Sequence, residues 1–172
     1  LDAAIVSYQQ ALKMKPDYAE AYYNMGVALW DKGDLEAAIN SYKQAIKIKP
    51  DYSEAYNNMG VALRDNGDLE AATDSFKQAI KIKPDFAGAY NNMGVTLMGK
   101  GDLETVRGCF NKALKIKPDY AEVHRNLSIV TKYDERTQHV VQMHNLHQDK
   151  SITENQRCHL SFALAKAFED LN

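Results

Sequence analysis

Between Ala19 and Lys32 the apolar and small residues Tyr22, Met25, Gly26 and Leu29 fall on one stripe at helical spacing. Between Leu35 and Ile48 a second stripe forms from Ala38, Tyr42 and Ala45. The break between the two predicted helices is Gly33-Asp34. Gly33 suits the left-handed cap that ends the first helix, and Asp34 suits the N-cap of the second. The closing Lys47-Ile48-Lys49-Pro50 puts cations at the helix C-terminus and then stops the helix.

The whole unit then returns. Pro16, Pro50, Pro84 and Pro118 stand 34 residues apart, and Gly26, Gly60, Gly94 and Gly33, Gly67, Gly101 keep the same step. Residues 17–50 and 51–84 differ at only seven positions: 19/53, 23/57, 30/64, 32/66, 39/73, 40/74 and 42/76. A looser third copy spans 85–118. Residues 1–16 are a lone second helix with Ala4, Tyr8, Ala11 and Pro16 in register. Residues 119–133 are a degenerate first helix with His124 at the aromatic position and Ser128 at the glycine position. Gly26 and Ala38 allow close helix approach, and Val106, standing where the small alanine is due, is expected to loosen the third hairpin.

This pattern resembles the tetratricopeptide repeat (TPR) family, whose offsets are met by Tyr22, Met25-Gly26, Leu29, Ala38, Tyr42, Ala45 and Pro50. The same offsets hold Tyr56, Met59-Gly60, Leu63, Ala72, Phe76, Ala79 and Pro84, and again Tyr90, Met93-Gly94, Leu97, Phe110, Ala113 and Pro118. The resemblance implies an all-α superhelix, or solenoid, of helical hairpins that binds proteins or peptides in a groove lined by the first helices.

Beyond Tyr133 the period lapses. "TQHVVQMHNLHQ" predicts a short helix capped by Thr137, and "TENQ" is a capping-box pattern with Thr153 as cap and Gln156 at the third helical position. The helix it opens runs to about Leu171, with Leu160, Leu164 and Phe168 on one stripe. Residues 134–172 therefore read as a helical tail or linker. This tail resembles the segment after the repeats in bacterial TPR-containing sulfotransferase family proteins. That likeness implies an alternative role, as an accessory or substrate-recognition region of a sulfotransferase whose catalytic domain lies outside these residues.

The stripe beside the packing face carries Glu20, Tyr23, Val27 and Trp30, then Glu54, Asn57, Val61 and Arg64. Asn91, Val95 and Met98 follow, and then Glu122, Arg125, Ile129 and Lys132. By resemblance this stripe lines the groove. "AYYNMGVALWDKGD" at Ala21 and "AYNNMGVALRDNGD" at Ala55 differ at three positions, and two of them, Tyr23/Asn57 and Trp30/Arg64, lie on it. Groove diversification and drift at exposed sites both explain such changes, but a tryptophan offers the contact area typical of a binding hot spot. Val27, Val61, Val95 and Ile129 form an apolar row. Asn24, Asn58, Asn92 and Asn126 form a parallel amide row, similar to the Asn ladder of O-linked N-acetylglucosamine transferase, which either holds a peptide backbone or bonds to the neighbouring repeat. The Lys and Asn clamp that holds C-terminal carboxylates in chaperone-binding relatives is missing, since Tyr23/Val27, Asn57/Val61 and Asn91/Val95 stand there. Arg64, Arg125 and Lys132 remain to attract an acidic ligand.

Composition narrows this reading further. A net charge of -2 gives no drive toward nucleic acid or membrane, and no apolar run reaches membrane-spanning length. The lysines Lys13, Lys15, Lys47, Lys49, Lys81, Lys83, Lys115 and Lys117 are explained by helix dipoles. Two cysteines, Cys109 and Cys158, fit a reduced cytoplasmic protein rather than a disulfide framework. The chain opens on Leu1 without a methionine or signal-peptide pattern and reads as an internal fragment. His144 and His147 share a helix face in the region of Cys158, where a zinc site is conceivable, but among His124, His139, His144, His147 and His159 no HExxH or paired CxxC spacing appears, and no serine or cysteine has a plausible base beside it. Neither cofactor, metal nor catalysis is expected. The lone first helix leaves Ile5, Tyr8 and Leu12 short of cover, and the last leaves Leu160, Leu164 and Phe168 so. Weak end-to-end homodimerisation is therefore expected.

Overall fold

The computed structural model describes residues 1–135 and 137–172. Among these are ten α-helices and no strand: α1 Asp2–Met14, α2 Ala19–Asp31, α3 Leu35–Ile48, α4 Ser53–Asp65, α5 Leu69–Ile82, α6 Ala87–Leu97, α7 Leu103–Ile116, α8 Ala121–Ile129, α9 Gln138–Gln148 and α10 Glu154–Asp170. A short 3₁₀ turn, Met98–Lys100, follows α6. The chain divides into two compact units, Leu1–Thr96 and Leu97–Asn172.

In the first unit each helix packs on the next in sequence: α1 on α2, α2 on α3, α3 on α4 and α4 on α5. The turns are built as the sequence predicts. Gly33 and Gly67 adopt φ of 85° and 89°, a left-handed backbone that only glycine holds without strain. The Asp34 and Asp68 carboxylates then accept hydrogen bonds from the amides of Ala37 and Ala71 at 3.2 and 3.1 Å.

Within each hairpin the glycine of the first helix meets an aromatic ring of the second. A Cβ on Gly26 would lie 2.7 Å from the Tyr42 ring, and one on Gly60 would lie 2.6 Å from the Phe76 ring. Ala38, Ala62, Ala72 and Phe76 are fully buried and form, with Ile39, Tyr42 and Leu63, the core that joins the two hairpins.

Successive repeats are also tied at their junctions. The first lysine of each pair, as in Lys47 and Lys81, sits in the last turn of its helix, where the dipole favours a cation. The second does different work. Lys15, Lys49 and Lys83 lie over the rings of Tyr18, Tyr52 and Phe86, with ammonium to centroid distances of 5.0, 4.5 and 5.1 Å. Lys117 repeats the arrangement over Tyr120 at 4.9 Å in the second unit. The dipole accounts for half of the lysine row; the rest is cation–π packing across the proline step.

In the second unit α10 packs chiefly on α8 and also on α9, and α7 packs on α8. The capping box is present: Gln156 N–H donates to Thr153 Oγ1 at 3.2 Å, and Thr153 N–H donates to Gln156 Oε1 at 2.8 Å. Thr153→Ala is expected to cost about 1 kcal/mol, read as a lower denaturation midpoint, with no change if the helix starts elsewhere. Thr137 stands at the N-cap of α9, but its buried hydroxyl makes no cap bond and finds no partner among the described residues.

At the C-terminal end the expectation of an exposed apolar stripe is corrected. Leu160 and Leu164 are 1% and 7% exposed, packed with Tyr133, Val140, Met143, Ala163 and Ala167. The 17-residue α10 is long enough to lay this stripe along α8 and α9 within its own unit. Ile5 is likewise buried, while Tyr8 and Leu12 are half-buried. Val106 is accommodated with no exposure at all.

Candidate functional site

In the first unit, Val27 and Trp30 of α2, Tyr42 of α3, Asn57, Asn58 and Val61 of α4, and Asn92 of α6 enclose a pocket of about 270 Å³. That is near the lower end of the roughly 300–1,000 Å³ range of ligand sites. Helical spacing brings the valines and asparagines to the wall, and the step between repeats sets them side by side. Six of the residues predicted from sequence meet here: Val27, Trp30, Asn57, Asn58, Val61 and Asn92. Tyr42, assigned to packing, supplies part of the wall as well.

One hydrogen-bond chain crosses the three first helices. Asn92 Nδ2 donates to Asn57 Oδ1 at 3.0 Å, Asn57 Nδ2 donates to Asn58 Oδ1 at 3.1 Å, and Asn58 Nδ2 donates to the Tyr23 hydroxyl at 3.0 Å. The amides therefore do bond to neighbouring repeats, through a zigzag rather than a straight row. Asn57, from the adjacent stripe, is the link, and Asn24 is exposed. Each amide has two donors and a two-lone-pair acceptor, so this chain uses only part of its capacity.

Tyr23 stacks obliquely on Tyr52 at 5.0 Å and lies 6.0 Å from Tyr42. Burial raises the Tyr23 phenol above its ordinary pKa, and burial together with Tyr23 pushes Tyr52 up to about 12. Both rings thus keep their protons, as hydrogen-bonding rather than anionic walls.

At the rim, the Trp30 indole Nε1 donates to Asp65 Oδ2 at 2.9 Å. The other oxygen of Asp65 receives Arg64 Nε and Nη2 at 3.2 and 3.1 Å. Two residues singled out for their variation are therefore joined by a third that is the same in the first two copies. Asp65 was not among the predicted site residues. Its signal was available, a carboxylate directly after Arg64 and matched by Asp31 one repeat earlier. Arg64, expected to attract an acidic ligand, is paired with Asp65 in this structure.

The remaining predicted residues are placed as follows. Asn91 is buried and Val95 half-buried on α6, and Met98 leaves the α-helix for the 3₁₀ turn. In the second unit Asn126 is buried, Ile129 is 43% exposed, and the Arg125 guanidinium lies 4.8 Å over the half-exposed ring of Phe162.

The second unit holds a different polar cluster, which sequence reasoning missed. His124 Nε2 lies 2.9 Å from the Pro118 carbonyl oxygen, so that nitrogen carries the proton. His124 Nδ1 then accepts from His139 Nε2 at 2.9 Å, and His139 Nδ1 accepts from the Tyr133 hydroxyl at 2.8 Å. The carbonyl at one end dictates every tautomer, and both imidazoles are neutral. Burial holds His124 below the ordinary histidine pKa; burial, and then His124, pushes His139 down to about 4.

A serine–histidine contact also appears: His147 Nε2 and Ser161 Oγ are 2.9 Å apart on exposed faces of α9 and α10. Among the described residues no carboxylate orients the other ring nitrogen, so the pair serves as an interhelical bond. No helix among the described residues is long and apolar enough to cross a membrane.

The TPR repeat family matches residues 1–33, 29–67 and 62–101, and the Tetratricopeptide repeat family matches residues 87–120. No curated protein matches the sequence. Among solved structures, the crystal structure of MamA is 22% identical with a TM-score of 0.72, covering 98% of this chain and 87% of that one. MamA 41-end from Desulfovibrio magneticus RS-1 is 19% identical with a TM-score of 0.71, covering 98% and 84%. The first TPR of Spaghetti (RPAP3), bound to the HSP90 peptide SRMEEVD, is 18% identical with a TM-score of 0.63, covering 65% and 89%. At these identities the likeness is one of fold. Neither family match reaches past residue 120, and the sulfotransferase-associated reading of the tail draws no support from these findings. With repeat matches running from residue 1 to residue 120, this chain belongs to the tetratricopeptide repeat family.

Proposed function

We propose that the chain is a protein-interaction scaffold that holds an extended peptide segment on the α2–α4–α6 face of its first unit. The observation that carries this reading is the Trp30 pocket. Val27, Val61 and the indole supply apolar wall, while the amides of Asn57, Asn58 and Asn92 supply donors and acceptors that suit a peptide backbone. Apolar surface gives affinity, and partly used amides orient a chain without demanding one side-chain sequence. The structural relative solved with an HSP90 peptide makes peptide binding a natural use of the fold. The accessory role beside a sulfotransferase has no observation behind it.

Trp30 is the only tryptophan in the chain, so its fluorescence reports on this pocket alone. Peptides selected from a random display library against the whole chain are expected to shift its emission. Val61→Glu, which puts a charge on the pocket wall, is expected to weaken them more than tenfold, since burying an unpaired charge costs several kcal/mol. Val61 is half-buried at the edge of the core that joins the hairpins, so the variant's thermal midpoint is measured alongside and is expected to fall without loss of the folded state. Binders that ignore Val61→Glu and leave the emission unchanged would place the interaction elsewhere.

A further inference from the structure

Resting on the groove reading above, we infer that the partner segment is basic: an apolar side chain enters the Trp30 pocket, and lysine or arginine flanks it. The charges around the pocket carry this. Four carboxylates stand at this face. Asp65 bonds the Trp30 indole at 2.9 Å, Asp31 follows Trp30 at the end of α2, and Glu20 and Glu54 open the stripes on which Tyr23 and Val27, and Asn57 and Val61, follow.

The cations in the same place are engaged. Arg64 is held by Asp65, Lys83 lies 3.4 Å from Glu54, and Lys49 covers Tyr52. Glu20 and Asp31 are exposed and in no ion pair among the described residues. An acidic segment therefore meets two unpaired carboxylates and cations that must first be released. A basic segment finds the two carboxylates unoccupied, with nothing to displace. Like-charge juxtaposition rejects the wrong partner, and opposite charge speeds and orients the right one.

The test uses binders selected from the random display library on the whole chain, synthesised with blocked termini and titrated by Trp30 fluorescence. Binders sensitive to Val61→Glu are expected to carry Lys or Arg beside a Leu, Ile or Phe anchor. Combining Glu20→Gln with Asp31→Asn is expected to weaken them about threefold to tenfold and to flatten the loss of affinity with added salt. Both positions are exposed, so folding is untouched. Acidic or neutral binders that still depend on Val61, or basic ones indifferent to the double substitution, would overturn this inference and leave the groove reading standing. A library that yields no Val61-dependent binder would overturn both.

Discussion

Gly60→Leu will destabilise the first unit by about 3 kcal/mol or more, at the upper end of what overpacking costs. The glycine lies inside α4, and the first atom of any side chain would already fall 2.6 Å from the Phe76 ring. Phe76 has no exposure and is held by Ala62, Leu63 and Ala72, so it has nowhere to move. The helix must instead lift away, and since the core joins both hairpins the damage passes to α2 and α3 as well.

Thermal unfolding followed by circular dichroism gives the measurement, at roughly 2–4 °C per kcal/mol for a chain of this size. Gly108→Ala is the control of opposite sign. Gly108 lies inside α7, a Cβ there would meet nothing within 4 Å, and alanine should gain about 0.5–1 kcal/mol of helix propensity. If Gly60→Leu left the midpoint where it was, the glycine–aromatic contact would not be what sets the hairpin spacing.

Mild acid will destabilise the second unit before carboxylate titration contributes. His139 has its pKa pushed from the ordinary 6.5 to about 4 in the folded chain. In that window the unfolded chain binds the proton and the folded chain does not, so stability is fully present above 6.5 and is lost as pH falls toward 4. The loss from His139 alone reaches about 2 kcal/mol at pH 5. His124 is shifted in the same direction by burial, although its hydrogen bond to the Pro118 carbonyl and then Asp119 oppose part of the shift.

The geometry supplies the cause. A proton on His139 Nδ1 would face the Tyr133 hydroxyl, and one on His124 Nδ1 would face the donor N–H of His139. The Tyr133 backbone amide is tied to Asp170 of α10 at 3.2 Å, so disturbing the cluster disturbs the packing of that helix. Urea unfolding at pH 7.5 and pH 5, with histidine resonances followed by NMR, tests this. His139→Gln should flatten the dependence between pH 6.5 and 4.5. A chain equally stable at both pH values, or His139 protonated near neutrality, would refute the relay.

Much of the fold was legible because it is written locally and written several times. The left-handed Gly33 and Gly67, the Asp34 and Asp68 caps and the Thr153 box each depend on residues within a few positions, and repetition at 34 residues distinguishes signal from accident. The stripe of the groove was legible for the same reason, since Val27 and Val61 follow from helical spacing alone. What was not legible was the use each polar group would find. Trp30 reads as a free surface aromatic until Asp65 is placed against it, and Arg64 as a free cation until the same carboxylate takes it. His124 reads as a weak substitute for an aromatic residue. Its partners His139 and Pro118 lie 15 and 6 positions away, outside any helical register that spacing predicts.

The sequence by itself determined the repeat length, the helix order, the Gly-Asp turns with their aspartate caps, and the Thr153 capping box. These are governed by backbone conformations and by contacts between residues a few positions apart. Tertiary structure alone decided three things: the zigzag from Asn92 through Asn57 and Asn58 to Tyr23, the burial of the Leu160 and Leu164 stripe, and the neutral histidine relay. Each needs side chains from separate helices to arrive within hydrogen-bond or packing distance. Arrival depends on how one helix is turned about its axis against another, a quantity that periodicity along a single chain does not contain.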